Sequence, residues 1–410
     1  MKVMVLTPYL PHRRVGHGGG TAVRDLVTWL ARNHDVLVAS LVRPGEADRI
    51  DEVTALGVRV LALPFRDRGA TGTDHLALMA SRARAASAGL ISGPPYYVRK
   101  YWSGALAARL RAAVADFAPD AIQIEYLQMG LYCRDLRRLR GAKPRPRLIL
   151  NSHELGSTPR QRHAALARNP LSRAWHLWEA ARWRRYQVAA SGWADHTLCV
   201  TPEDRAQYAA LGGKNLVTMP LGMDTDALAA DWSAAPPERH LFVGAFQHRP
   251  NRSAAEFLLS VVWPQVRRTR PEARLLLAGR GSRNFLASRD LPVPDGVEAL
   301  GFVDDLTPLF REARLFVAPL TEGGGIKIKI LEAMARGIPV VTSAVGAEGI
   351  TADPGILGIA PCDESFAELV TTLAADPESC RLRSRAGRRL IEDQFSWRAI
   401  TARLATLYEG

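Results

Sequence analysis

Short runs of consecutive apolar residues recur along the chain, separated by stretches in which apolar residues fall three and four apart. In the first half the runs are Val3 to Leu6, Val36 to Val42, Val58 to Leu63, Ala121 to Ile124, Leu148 to Leu150 and Thr197 to Val200. In the second half they are Leu241 to Phe246, Ala273 to Ala278, Leu315 to Leu320, Ile338 to Thr342 and Ile356 to Ile359. Unbroken apolar runs suit strands buried on both faces, and the helically spaced stretches supply the helices that cover them. Strands alternating with helices imply parallel sheets, so the pattern predicts an α/β protein of two doubly wound domains in tandem. The periodicity breaks between Asp224 and Arg239, at Ser233-Ala234-Ala235-Pro236-Pro237. This places the domains at 1–223 and 224–395, with Pro236 as a candidate hinge and a closing helix in 396–410 that packs back on the first domain.

The chain of 410 residues, 47% hydrophobic, is too long for one ordinary core. No apolar run reaches the ~18 residues that would suggest a membrane span. The opening residues Met1-Lys2-Val3-Met4-Val5-Leu6-Thr7-Pro8 read as a first buried strand rather than a signal peptide, which predicts a cytosolic protein. Cys133, Cys199, Cys362 and Cys380 have neither zinc-ligand spacing nor the pattern of a disulfide framework.

The turns between strands and helices carry the candidate chemistry. After Leu315 to Leu320 comes Thr321-Glu322-Gly323-Gly324-Gly325-Ile326-Lys327-Ile328-Lys329, then the helix-favouring segment up to Arg336. Three glycines let the backbone approach a ligand closely, and the free amides of a helix's first turn carry about half a positive charge, which suits a phosphate. Lys327 or Lys329 adds a point charge. Glu332, more than a turn further on, would repel phosphate and is assigned to a hydroxyl-rich group such as ribose. A second glycine-rich helix start, Gly16-His17-Gly18-Gly19-Gly20-Thr21, follows the first strand but lacks the dinucleotide fingerprint. His153, in Asn151-Ser152-His153-Glu154, stands at the carboxyl end of a strand, where ligands of open parallel sheets bind. Val243-Gly244 through Arg249-Pro250 leaves another strand, and the planar fork of Arg249 suits a diphosphate. Asp304-Asp305 reads as a helix cap rather than a metal site.

Charge divides unevenly. Residues 1–223 hold 32 Lys+Arg against 17 Asp+Glu, a balance of +15, while residues 224–410 hold 22 against 24, a balance of −2. The first half therefore faces something anionic. Trp175, Trp178, Trp183 and Trp193 are interleaved with Arg173, Arg182, Arg184 and Arg185. Two readings stand: a helix lying on anionic lipid, or core tryptophans with solvated arginines. No recognisable nucleic-acid module accompanies the basic half, so no nucleic acid is expected as a partner.

The segment Pro319-Leu320 through Gly323-Gly324-Gly325-Ile326-Lys327-Ile328-Lys329-Ile330-Leu331-Glu332-Ala333-Met334-Ala335 carries the most specific resemblance. It continues as Gly337-Ile338-Pro339-Val340-Val341-Thr342-Ser343 and Gly346-Ala347-Glu348-Gly349. Phe242-Val243-Gly244, Pro250-Asn251, Leu277-Ala278-Gly279, Gly301-Phe302-Val303-Asp304-Asp305 and Phe395-Ser396-Trp397 extend it to nearly the whole chain. Together these resemble the retaining glycosyltransferases of family 4, bacterial exopolysaccharide-type subgroup. The resemblance implies a GT-B fold, two Rossmann-like domains facing across a cleft, and metal-independent transfer of a hexose. The implied donor is a nucleotide diphosphate sugar, and the implied acceptor a saccharide or a lipid-linked acceptor in surface polysaccharide or glycolipid synthesis. A GT-B protein that binds sugar nucleotides without transfer, or an epimerase-like enzyme, is the alternative. By the resemblance Glu332 holds the donor ribose, and the glutamate usually found eight positions earlier is replaced by Gly324, with Glu322 as its candidate substitute. Lys327 and, more loosely, Arg249 map to the diphosphate cations. His153 maps to a histidine on the donor sugar, and Gly18, Gly19 and Gly20 to a loop near the diphosphate. Gly244, Gly323, Gly325 and Ile326 complete the expected donor site. No cofactor and no metal is expected, and the basic half implies a peripheral position on the inner face of a membrane.

Overall fold

The computed structural model describes residues 1–13, 15, 18–65, 93–138, 145–167, 169–228, 232, 238–323 and 325–409. Gly16, His17, Gly324 and the candidate hinge at Pro236 lie outside the described residues. The rest fall into two compact units, Met1–Gly222 with Ile400–Gly410, and Met223–Ala399.

The first unit is built on seven parallel strands: β1 (Lys2–Thr7), β2 (Asp35–Val42), β3 (Arg59–Pro64), β4 (Ala121–Glu125), β5 (Arg147–Asn151), β6 (His196–Cys199) and β7 (Leu216–Thr218). They lie in the order β3-β2-β1-β4-β5-β6-β7. β1 is central because Val3, Met4, Val5 and Leu6 are fully buried, as an apolar run covered on both faces must be. Strand order reverses between β1 and β4, opening a crevice at their carboxyl ends. The helix Trp397–Glu409 closes the chain, with Ile400, Leu404 and Tyr408 buried, and the Tyr408 hydroxyl donates to Gln123 Oε1 on β4.

The second unit has six parallel strands: β8 (Arg239–Val243), β9 (Arg274–Ala278), β10 (Val297–Gly301), β11 (Leu315–Ala318), β12 (Val340–Thr342) and β13 (Gly358–Ile359). Their order is β10-β9-β8-β11-β12-β13, so the reversal falls between β8 and β11. Phe242, Trp263, Phe310, Phe316 and Phe366 fill its core. β7 and β10, absent from the apolar pattern, are edge strands whose residues are mostly half-buried and therefore need no unbroken apolar run.

One core residue predicts acid sensitivity. His240 on β8 is fully buried edge-on to Trp263, at 5.7 Å between ring centres, and among the described residues neither ring nitrogen has a hydrogen-bond partner. Burial pushes its pKa down from 6.5 to about 4. The unfolded chain then binds more protons between those values, so stability falls as pH drops from 6.5 towards 4, by up to about 3 kcal/mol. His240→Leu removes both the orphaned nitrogens and this slope. Urea unfolding at pH 7 and pH 5 should show a smaller loss for the variant, and parallel losses would refute the account.

Candidate active site

The second unit's crevice is bordered by the turns after β8 and β11. After β11 the chain passes through Gly323 at φ 117° and Gly325 at φ 71°, left-handed conformations that glycine adopts without strain. It then enters the helix Ile328–Ala335, with Lys327 in the capping position. That helix forms because Ile330, Leu331, Ala333, Met334 and Ala335 bury one face against the core. Ile326, half-buried, packs against the same core.

The two lysines of this turn behave differently. Lys327 donates to the Gly325 carbonyl and stands 3.5 Å from Glu348 Oε2. Lys329 is half-buried, its ammonium donating to Asn251 Oδ1 and lying 4.7 Å from the centre of the Phe242 ring. Among the described residues no carboxylate forms an ion pair with Lys329. Burial, with a further contribution from Lys327, pushes its pKa down from 10.5 to about 8. A cation held largely out of water, with no carboxylate ion pair among the described residues, suits an anionic ligand. Asn251 also donates to the Ala245 carbonyl at 2.8 Å, which ties the turn after β8 to Lys329. Gly244 is needed there, since a Cβ would stand 2.8 Å from the Asn251 side chain.

Arg249, at the first position of the helix Arg249–Phe257, is exposed and pairs with Glu322 Oε1 at 3.1 Å. Ser253 donates to the same oxygen at 3.2 Å. The structure thus brings Glu322 and Arg249 together, which their separation in sequence does not reveal. Glu332 pairs with Arg336 at 3.2 Å, and Arg336 donates to Thr307 Oγ1 at 3.1 Å. Asp305 accepts from the Thr307 amide at 2.9 Å, but the cap of the helix Thr307–Arg311 is Leu306, so Asp305 closes the turn before the helix rather than occupying its capping position.

In the first unit, Gly18, Gly19 and Gly20 form the first turn of the helix Gly18–Leu30 rather than a loop before it. The Tyr126 hydroxyl packs there, since a Cβ on Gly19 would stand 2.2 Å from it. Tyr126 follows β4 and His153 follows β5. Both have positive φ, 71° and 54°, and their rings stack at 3.9 Å. Two adjacent non-glycine residues in left-handed conformations are held there by their surroundings, as functional sites often require. His153 Nε2 meets Glu125 Oε2 at 2.5 Å, a partner that sequence reasoning missed.

The four tryptophans divide between the two readings. Trp183 is buried, and Arg182 is buried against Glu179 at 2.9 Å. Trp193 lies beyond the helix Pro170–Ser191. Leu171, Trp175 and Leu177, near that helix's start, are 81%, 53% and 50% exposed, and Arg173, Arg184 and Arg185 are exposed on the same helix. Among the described residues no helix is long and apolar enough to cross a membrane, and no group of three or more His, Cys, Asp or Glu could hold a metal ion.

Two doubly wound parallel sheets with glycine-bearing turns at their points of reversal define a class of nucleotide-binding α/β proteins. Residues 17–222 match the family described as glycosyl transferase 4-like domain, and residues 237–376 the one described as glycosyl transferases group 1. The chain belongs to this glycosyltransferase family, and its fold is GT-B. A phosphatidyl-myo-inositol mannosyltransferase of Mycobacterium tuberculosis is 29% identical over 218 residues, covering 50% of this chain and 56% of that protein. A GDP-mannose-dependent monoacylated alpha-(1-6)-phosphatidylinositol monomannoside mannosyltransferase of Corynebacterium glutamicum is 31% identical over 158 residues, covering 36% and 42%. The chain thus spans about half the length of these curated relatives. Among solved structures, sucrose-phosphate synthase from Thermosynechococcus elongatus superposes with a TM-score of 0.66 at 19% identity, covering 100% of this chain and 98% of that one. Anabaena HepE in complex with UDP gives 0.66 at 14% identity, covering 99% of both chains.

Proposed function

We propose that the protein is a retaining, metal-independent glycosyltransferase that moves a hexose from a nucleotide diphosphate sugar to a lipid-linked or saccharide acceptor. The observation that carries this reading is Lys329, a half-buried ammonium beside the glycine turn at the β8/β11 reversal, with no carboxylate ion pair among the described residues. As the glycosidic bond breaks, negative charge grows on the departing diphosphate. Lys329, the amides that open the helix Ile328–Ala335, and Arg249 stabilise that charge in place of a metal. Arg249 is available because a diphosphate can displace Glu322 from it, and the freed Glu322 can meet a sugar hydroxyl. Glu332 takes the ribose. A departing phosphate oxygen receives the acceptor's proton, so no enzyme carboxylate acts as nucleophile and the anomeric configuration is kept.

The names of the relatives support a mannosyl donor and a glycolipid acceptor. The apolar, exposed start of the helix Pro170–Ser191, with its arginines and the basic first 223 residues, fits an anionic lipid surface. The test supplies purified protein with GDP-mannose or UDP-glucose and acceptor lipid in anionic vesicles, and measures nucleotide release and the anomer formed. Release should fall about 100-fold in Glu332→Ala, and Trp175→Glu should slow only the reaction with vesicle-borne acceptor. Nucleotide binding without sugar transfer to any acceptor would favour a sugar-nucleotide-binding protein instead.

A further inference from the structure

A buried polar chain runs from the closing helix to His153. Tyr408, in the helix Trp397–Glu409, donates its hydroxyl proton to Gln123 Oε1. The amide is thereby oriented with its NH2 towards Glu125, and Gln123 Nε2 donates to Glu125 Oε1 at 2.6 Å. Asn151 Nδ2 donates to Glu125 Oε2 at 3.1 Å, and His153 Nε2 meets that oxygen at 2.5 Å. Glu125 is 1% exposed and Gln123 likewise, so water does not take the place of these partners. The strand registers explain the convergence: Gln123 and Glu125 share one face of β4, and Glu125 stands opposite Asn151 on β5.

We infer that Glu125 is a positioning residue that fixes both the ring orientation and the tautomer of His153, leaving Nδ1 to accept a hydrogen bond from a sugar hydroxyl. A carboxylate only accepts, so the proton on the shared bond belongs to Nε2, and in the neutral ring the lone pair is then on Nδ1. Among the described residues Nδ1 has no protein partner. The stacked Tyr126 ring holds the imidazole plane, and the positive φ of His153 sets where its side chain leaves the backbone. Tyr408 and Gln123 matter because they keep two amide protons from facing each other. In Glu125→Gln, the new amide turns its oxygen to Gln123 Nε2 and its NH2 to His153, and Asn151 turns with it to present Oδ1 in place of its NH2, giving up the 3.3 Å bond that Oδ1 accepts from the His153 amide. That reverses the tautomer to Nδ1–H.

The kinetic part of this inference rests on the glycosyltransferase reading, whereas the tautomer part does not. Long-range proton–nitrogen correlation spectra of the full chain, with His153 assigned by His153→Ala, read the tautomer directly. The wild type should show the Nε2–H form and Glu125→Gln the Nδ1–H form. Adding Tyr408→Phe to Glu125→Gln frees both amides to turn and should restore part of the Nε2–H form, a rescue that a merely structural role would not produce. With a working donor, Glu125→Gln should lower kcat/KM by about 10- to 100-fold and cause no further loss in a His153→Ala background. An Nδ1–H tautomer in the wild type overturns the inference even if the variant does not fold. So does a Glu125→Gln protein with wild-type tautomer and kinetics. Wild-type protein inactive with every nucleotide sugar would sink the proposed function while leaving the tautomer test standing.

Discussion

Lys329→Met should make the protein more stable and unable to hold a nucleoside diphosphate. Burial has pushed the Lys329 pKa from 10.5 to about 8, which at neutral pH corresponds to a penalty of about 3 kcal/mol for carrying the charge in the folded state. Methionine matches the stem and removes that penalty. It leaves Asn251 Oδ1 without its donor, costing back about 1–2 kcal/mol, so the net gain is about 1–2 kcal/mol. Between pH 8 and 10.5 the unfolded chain binds the extra proton, so wild-type stability rises with pH there through this group, and the variant lacks that rise. Binding runs the opposite way. A diphosphate favours the ammonium, so wild-type affinity should fall about tenfold per pH unit above 8, until the bound-state pKa is passed. Calorimetric titration with GDP and UDP at pH 7 and pH 9.5, beside urea unfolding at both, separates the effects. We expect at least a 100-fold loss of affinity in Lys329→Met at pH 7 and a flat pH dependence. Wild-type affinity in the variant would remove Lys329 from the site.

That lysine marks where the sequence was legible and where it was not. The glycine turn could be read because glycines between a buried strand and a helix announce positive φ and a close backbone approach, and Gly323 and Gly325 have such backbones. The helix start by itself left Lys327 and Lys329 as equals, and the resemblance selected Lys327. The structure separates them: Lys327 is the capping residue, with an extended backbone, and turns to the Gly325 carbonyl and Glu348, whereas Lys329 lies in the helix's first turn and reaches Asn251 and the Phe242 ring. The central strands were legible because burial on both faces demands apolar runs, and β7 and β10 were not, because edges do not make that demand. The Glu125 network was hidden for a different reason. Gln123, inside the apolar run Ala121 to Ile124, and Glu125, directly after it, are polar residues two apart, which in a parallel strand places both on one buried face. Their spacing was a usable signal, but their partners Asn151, His153 and Tyr408 are distant in sequence and become neighbours only through strand register and the closing helix. The same holds for Arg249 and Glu322, which meet because β8 and β11 are paired.

The pairing of β8 with β9 makes Gly279→Ala the most damaging single-methyl substitution we expect near the donor turn. Gly279 closes β9 at φ 129°, and its amide donates to the Gly301 carbonyl at 2.7 Å. A Cβ there would stand 2.0 Å from the Gly244 carbonyl oxygen and 2.8 Å from its carbon, both backbone atoms with no rotamer to change. Something must therefore shift, and the Gly244 amide is itself tied to the Ala278 carbonyl at 2.9 Å. Backbone strain of about 1–3 kcal/mol and an overlap cost of about 1–3 kcal/mol together predict a loss of about 2–6 kcal/mol from the second unit. The displaced Gly244 would carry the turn up to Asn251 with it, and Asn251 holds Lys329, so diphosphate binding should disappear as well. Gly45→Ala is the control, because Gly45 has φ 83° in the first unit and open space around its missing Cβ. It should cost only the strain and leave binding intact. Urea unfolding and nucleotide titration of the two variants side by side test the argument. Equal losses would mean that the approach of Gly279 to Gly244 does not control the turn that holds Lys329.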